Sequence, residues 1–328
     1  MAELEDPHFA PAPPTERRRL SRRARITLGG GAAVAAVLAV NLGIDDGRDR
    51  YEQSIAGQSA DGATKVVPGE ASREQPWLGS PAATWANGEA GIVLPEARPV
   101  GVFSAEQVAE HLRTVRSFLL AANVDPATVK GGRPDRALAL LTEPSRSYVD
   151  DWLARPTRDS DPALLFSRFD PQRAVPVTDT VKVKGELSFA EGRDGGLTVT
   201  TDHSFAYALF PGPEAGKARS SASPAGVVPA AFGNPVFQAR VEREVVRRQL
   251  EFHFEDPATS GAGPGQTELG RIAASFANNV CEMGNGFLET DFGGTDQEID
   301  TSGRMGDPYD RGTGDIGGAG SCVAVRGT

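Results

Sequence analysis

Any chemistry done by this chain has to draw on four histidines, four tyrosines and a scatter of carboxylates. His203 is the best placed of these. It lies in "LTVTTDHSFAYAL", where Thr201, His203, Phe205, Tyr207 and Leu209 alternate and so share one face of a strand. If that face lines a pocket, His203 can act as a general base, with Tyr207 or Tyr148 as a helper. If the face is filled, His203 is a hydrogen-bonded core histidine, which is the plainer reading. His253 falls opposite the apolar face of its strand and reads as solvated; His111 sits beside a helical stripe, and His8 lies in an N-terminal tail.

The other constellations carry less. Tyr148, Asp150, Asp151 and Trp152 share a short helix, but adjacent residues point to different faces, so the aspartates cannot form an acid–base dyad. Tyr148 and Trp152, four apart, are expected to pack together and leave the aspartates wet. "GAGPGQTELGR" lacks the Lys-Ser/Thr of a phosphate-binding loop, and Glu268 stands where a dinucleotide fingerprint needs its third glycine, so it reads as linker. Asp291, Asp296, Asp300, Asp307, Asp310 and Asp315 lack the register of a calcium loop. There is no H-E-x-x-H, no nucleophile elbow and no Ser-x-x-Lys, and Cys281 and Cys322 are too far apart for a zinc knuckle. The sequence names no cofactor and no metal ligand, and its only catalytic candidates are the weak ones, His203, Tyr207 and Tyr148.

The compartment is more legible. Residues 26–44 contain no charge and would span about 28 Å as a helix, close to the hydrocarbon core of a bilayer. Arg17, Arg18, Arg19, Arg22, Arg23 and Arg25 precede them, and Asp45, Asp46 and Asp49 follow. Cationic flanks stay in the cytoplasm, so the bulk of the chain is expected outside. Glycine and alanine make the segment only marginally apolar. Cleaved export is the competing reading, with a small-residue site near Ala39 and a Ser21-Arg22-Arg23 run similar to a twin-arginine signal. A buried soluble helix is disfavoured by the arginines beside it. The uncleaved single-pass anchor is the reading taken.

That topology divides the chain into a cytoplasmic Arg-rich tail (1–25), a transmembrane helix (26–44), a flexible spacer (45–98), an extracytoplasmic α+β domain (99–290) and a Gly/Asp-rich tail (291–328). The spacer is rich in Gly, Pro, Ser and charge without apolar periodicity; Trp77 and Trp85 are its exceptions and would dock on the folded part or stay isolated. Net charge is −10, and removing the Arg-rich head leaves the exported part more acidic still. Such a surface has no electrostatic footprint for nucleic acid or anionic lipid. In an oxidising compartment Cys281 and Cys322 are expected to form a disulfide tying the tail back, worth roughly 4 kcal/mol in the chain-entropy description.

Within the domain, Ser104 and Gln107 make a capping box ahead of Val108, Leu112, Val115, Leu119 and Ala122, which predicts an amphipathic helix over 104–123. Short helices follow at "DRALALLTE" and "SRSYVDDWLA". The period then changes to two: Val181, Val183, Leu187 and Phe189 form one strand, "EGRDGG" a turn, and 197–209 the return strand. In "VFQARVEREVVRRQLEFHFED" the apolar phase is odd at Phe237, Ala239 and Val241 and even at Val246, Leu250, Phe252 and Phe254. A bulged, bent strand is the reading taken over a helix through 238–250.

Helices followed by long antiparallel strands make an α+β fold, and the order resembles the NTF2-like or cystatin-like cone, a curved sheet around leading helices. More locally, "DPALLFSRFDP", "VKVKGELSFAEGRDGGLTVTTDHSFAYAL", "LEFHFEDP" and "DPYDRGTGDIGGAGSC" resemble uncharacterised actinobacterial single-pass membrane proteins. That resemblance implies the topology and compartment and transfers no activity. The expected function is a non-enzymatic, membrane-anchored binding or interaction module for an envelope protein or a small ligand, with no nucleic-acid partner. The alternative is a small-molecule pocket enzyme using His203, which would need His203 exposed to a cavity of several hundred Å³.

Overall fold

The computed structural model describes residues 71–192, 195–215, 241–256, 263, 265–279, 284–292, 309 and 321–322, all within one compact unit, Thr64–Thr328. The expected anchor (26–44), the Ala39 site, the Arg-rich tail, Phe237, Ala239 and Cys281 lie outside the described residues. Among the described residues no helix is long and apolar enough to cross a membrane.

The unit is α+β, with helices on one face of a sheet. Helix α1 (Ala105–Asn123) begins at the predicted capping box: Gln107 N donates to Ser104 Oγ and Ser104 N to Gln107 Oε1. Its stripe of Val108, Leu112, Val115, Phe118, Leu119 and Ala122 is fully buried. Short helices α2 (Pro126–Val129) and α3 (Asp135–Leu138) follow, then α4 (Glu143–Ala154). Asp125 caps α2 by accepting from Ala127 N, and Pro126 opens the helical turn.

The sheet comprises β1 (Ala86–Asn87), β2 (Ala174–Pro176), β3 (Lys182–Glu191), β4 (Leu197–Pro211), β5 (Glu242–Phe254), β6 (Glu268–Ala277) and β7 (Ser321–Cys322). Its order is β1-β3-β4-β5-β6-β7, with β2 also beside β4. The described ladders are antiparallel except the short β6–β7 pair. The predicted hairpin is β3–β4, in register from Lys182↔Ala206 to Glu191↔Leu197.

One strand departs from expectation. β5 runs unbroken against β4 from Leu209↔Glu242 to Leu197↔Phe254, neither helical nor bulged. Its apolar phase changes because both faces are covered near its start. Val246, Leu250, Phe252 and Phe254 face the helices, while Val245 packs on the opposite face with Ala82, Trp85, Ala206, Ala277 and Tyr309. The register shift falls in the β5–β6 ladder between Leu250 and Phe252, where β6 carries the extra residue.

The opposite face is covered partly from the range read as spacer. Residues 73–85 lie on it before β1 joins the sheet edge, with Trp85 buried edge-on to Tyr309 at 5.7 Å between centroids. Arg243 donates to Pro76 O (2.9 Å) and Leu78 O (2.5 Å), and Lys182 Nζ to Ala83 O (3.3 Å) and Trp85 O (3.1 Å). Cations on the sheet thus satisfy carbonyls of a segment that has almost no strand pairing of its own.

Candidate functional site

The helix-facing side of β4 and β5 carries His203, Tyr207, Glu244 and Arg248. Period two puts 203 and 207 on one face of β4, and the register Tyr207↔Glu244 and His203↔Arg248 sets the two β5 residues opposite them. Exposure is 0% for His203, Glu244 and Arg248 and 3% for Tyr207.

Arg248 reaches away from the sheet. Its Nε donates to Leu164 O (3.0 Å), Nη2 to Ala163 O (2.7 Å) and Nη1 to Ser167 Oγ (2.9 Å). Ser167 Oγ donates onward to Asn123 Oδ1 (3.0 Å), and Tyr207 Oη donates to the main-chain O of Asn123 (2.8 Å). One polar chain therefore links β5, the 161–169 loop, the last residue of α1 and β4. Tyr207 satisfies a carbonyl that the end of α1 leaves without an intrahelical partner. Burial pushes the Tyr207 phenol up and draws the Arg248 guanidinium down to about 10, still cationic at neutrality.

Glu244 forms a second arm. Oε1 accepts from Asn279 Nδ2 and Oε2 from Thr290 Oγ1, each at 2.6 Å. Both partners are neutral. Burial raises the Glu244 carboxyl to about 7, with the two hydrogen bonds and Arg248 opposing the rise.

His203 lies where the sequence puts it, on the apolar face, stacked toward Phe205 at 6.2 Å between ring centroids. Gly185, opposite it on β3, makes room: a Cβ there would come within 2.2 Å of His203 Cδ2. His203 is enclosed in the core, with Phe205, Phe118 and Phe252 fully buried on the same side of the sheet. The pocket bounded by Val124, Pro126, Val129, Pro176, Val181 and Tyr207 has a volume of about 10 Å³, on the order of one water molecule, and His203 does not line it. Tyr207 lies four residues from His203 along β4, roughly 13 Å at strand rise. Tyr148 stands apart on the exposed face of α4, 57% accessible, with its ring 4.9 Å from that of Trp152. Asp150 and Asp151 beside it pair with Arg133 (2.6 Å) and Arg155 (3.5 Å). The structure thus does not assemble the three sequence candidates into one site. His253 is half-buried rather than solvated, 3.0 Å from Thr198 Oγ1 through Nδ1.

Sequence reasoning missed Glu244, Arg248, Asn123, Ser167, Asn279 and Thr290. A signal was present, since Glu244 and Arg248 share the even phase of Val246, Leu250, Phe252 and Phe254 and so interrupt a buried face with charge. Chemically, the arrangement fixes a cation among two carbonyls and a hydroxyl, and brings the titration of a buried carboxyl up toward neutrality. Among the described residues no group of three or more His, Cys, Asp or Glu is placed to hold a metal ion. Comparisons with protein-family models, curated proteins and solved structures return no match.

Proposed function

We propose that this chain is a membrane-anchored extracytoplasmic binding module. Its α+β unit is of the NTF2-like or cystatin-like type and engages an envelope protein or a small ligand through its surface. The observation that supports this reading is the filled helix-facing side of the sheet. Phe118, Phe166, Phe169, Phe205 and Phe252 are fully buried there, and the one histidine on that face is enclosed with them. A pocket enzyme built on His203 needs that side open. The anchor at 26–44, the cytoplasmic N-terminus, the Cys281–Cys322 disulfide and the likeness to actinobacterial single-pass proteins rest on the sequence arguments above.

Two experiments test the proposal. Ser59→Cys and Ser302→Cys, each with Cys281 and Cys322 replaced by alanine, would be labelled in intact cells with a membrane-impermeant maleimide. Labelled full-length protein in the membrane fraction is expected. Shorter labelled protein in the medium would replace the anchor with a cleaved signal, and no labelling would overturn the extracytoplasmic location. Photo-crosslinking side chains would then be placed at Val93, Val102 and Tyr148, which are exposed. A discrete adduct from at least one position is expected, and no adduct from any would remove the protein-partner reading.

A further inference from the structure

A buried carboxylate with only neutral partners is an unusual thing for a core to keep. Ionised carboxylates are costly to bury without a cation, and such groups tend to neutralise instead. Glu244 is 0% exposed, its contacts are the amide of Asn279 and the hydroxyl of Thr290, and no ion pair within 4.0 Å involves it among the described residues. Those two partners belong to a single junction. Asn279 and Thr290 form an isolated antiparallel bridge, and Asp291 N donates to Asn278 O (3.0 Å), so segment 284–292 is fastened to the end of β6 at Glu244.

We infer that Glu244 is a proton-operated latch: protonated, it holds segment 284–292 against β5 and β6, and ionised, it favours release of that segment. The acid form keeps both contacts, because one oxygen still accepts from Asn279 while the carboxyl O–H donates to Thr290 Oγ1, whose hydroxyl can turn to accept. The ionised form keeps both as an acceptor but leaves a buried charge that these bonds and Arg248 offset only in part and that hydration relieves. Release of the segment supplies that hydration.

The other charged and titratable groups around this junction are few. Tyr207 stands opposite Glu244 on β4, and Arg248 lies four residues on along β5, committed to Leu164, Ala163 and Ser167. On the segment itself, Glu289 accepts from Asn285 and lies 3.8 Å from Arg173, which precedes β2; Asp291 follows Thr290 in the chain. From the loop below, Arg168 donates to Gly286 O, and Asp161 accepts from Gly284 N. The Arg168 and Asp161 side chains hold the 284–286 end, and the contacts that must part when the 288–292 end is released are Leu288 N to Arg168 O and Asp291 N to Asn278 O.

The raised carboxyl makes the window concrete. With the closed form titrating at about 7 and an open, hydrated glutamate near its ordinary value, closing takes up a proton between those limits. The open fraction is then expected to rise about tenfold between pH 6 and pH 8. Amide hydrogen exchange reads this directly at Leu288 and Asp291, whose N–H groups bond Arg168 O and Asn278 O. After correction for base-catalysed chemistry, protection at both should fall about tenfold over that range in the full chain. In Glu244→Gln it should stay flat, and in Glu289→Gln it should still fall. Flat protection in the unaltered protein, or an unchanged fall in Glu244→Gln, would overturn the latch. Should the glutamine variant not fold, the ¹³Cδ resonance of Glu244 in the unaltered protein decides: titration near neutrality is expected, and titration in the ordinary glutamate range refutes it.

Discussion

Replacing Arg248 by methionine removes the guanidinium while keeping much of the side chain's length and volume. Three acceptors lose their donor: Leu164 O, Ala163 O and Ser167 Oγ. Hydrogen bonds from a charged donor are worth about 1.5–3 kcal/mol each, so the gross loss is about 5–9 kcal/mol. Against this, the folded state no longer buries a cation. The fall of the guanidinium from its ordinary value to about 10, with burial outweighing the opposing pull of Tyr207 and Glu244, corresponds to about 3 kcal/mol of net cost relieved. The net expectation is a loss of about 2–6 kcal/mol, which brackets the roughly 3–5 kcal/mol seen when a buried charged contact is broken. Denaturant unfolding at pH 7 should show a lower midpoint with an unchanged slope. Arg248→Lys provides the discriminating comparison. Its single ammonium retains the buried charge but cannot reproduce the fork that meets Leu164 O, Ala163 O and Ser167 Oγ. It should be destabilised at least as much as the methionine variant. A lysine variant as stable as the original, or a methionine variant within 1 kcal/mol of it, would refute the view that fork geometry holds the 161–169 loop to the sheet.

Gly185→Ala places a Cβ 2.2 Å from His203 Cδ2 and 2.6 Å from Asp202 O. It should cost about 1–3 kcal/mol in urea unfolding, with only part recovered by adding His203→Ala because the carbonyl contact remains. His111 lies between Phe103 and Phe254, and burial lowers its pKa. The unfolded chain therefore takes up a proton below about pH 6.5 that the folded chain resists, and stability falls as pH drops through that value. His111→Phe should reduce the loss of Tm between pH 7.5 and pH 5, and an identical loss in the variant would count against this. Trp85→Ala removes a buried indole and its contact with Tyr309, a change of about 3 kcal/mol at that face. Limited proteolysis between Ala71 and Trp85 should accelerate, and an unchanged cleavage rate would show that the indole does not hold the segment down.

How much of this was legible follows from how local each signal is. The capping box of Ser104 and Gln107 and the stripe behind it are contained within one helix, so sequence located α1 closely. The β3–β4 hairpin has a turn and two alternating strands side by side in the chain, and it too was legible. The coverage of the outer face was not. Residues 71–92 dock by short 3₁₀ turns and by carbonyls offered to Arg243 and Lys182, and neither leaves a periodic pattern. For the candidate site, the face of His203 could be read, but what fills the space above it comes from α1 and the 161–169 loop. Glu244 and Arg248 had no visible role because their partners lie 35 to 85 residues away. A charge in phase with a buried apolar run was the available clue.

The outer face has a consequence for how the chain is made. Ser80 Oγ meets Tyr309 Oη at 3.0 Å across 229 residues of sequence, and Trp85 closes over the same tyrosine. Pairings this distant form slowly, because a long loop must close before any contact rewards it. During synthesis α1 and the β3–β4 hairpin can form early, whereas Ala206, Val245 and Ala277 wait for Tyr309 to be added before their cover is complete. A fragment beginning at residue 99, the boundary suggested by composition, would lack Ala82 and Trp85 altogether. Its apolar outer patch would keep Tyr309 and lose the rest of that cover, and self-association is the expected fate of that fragment.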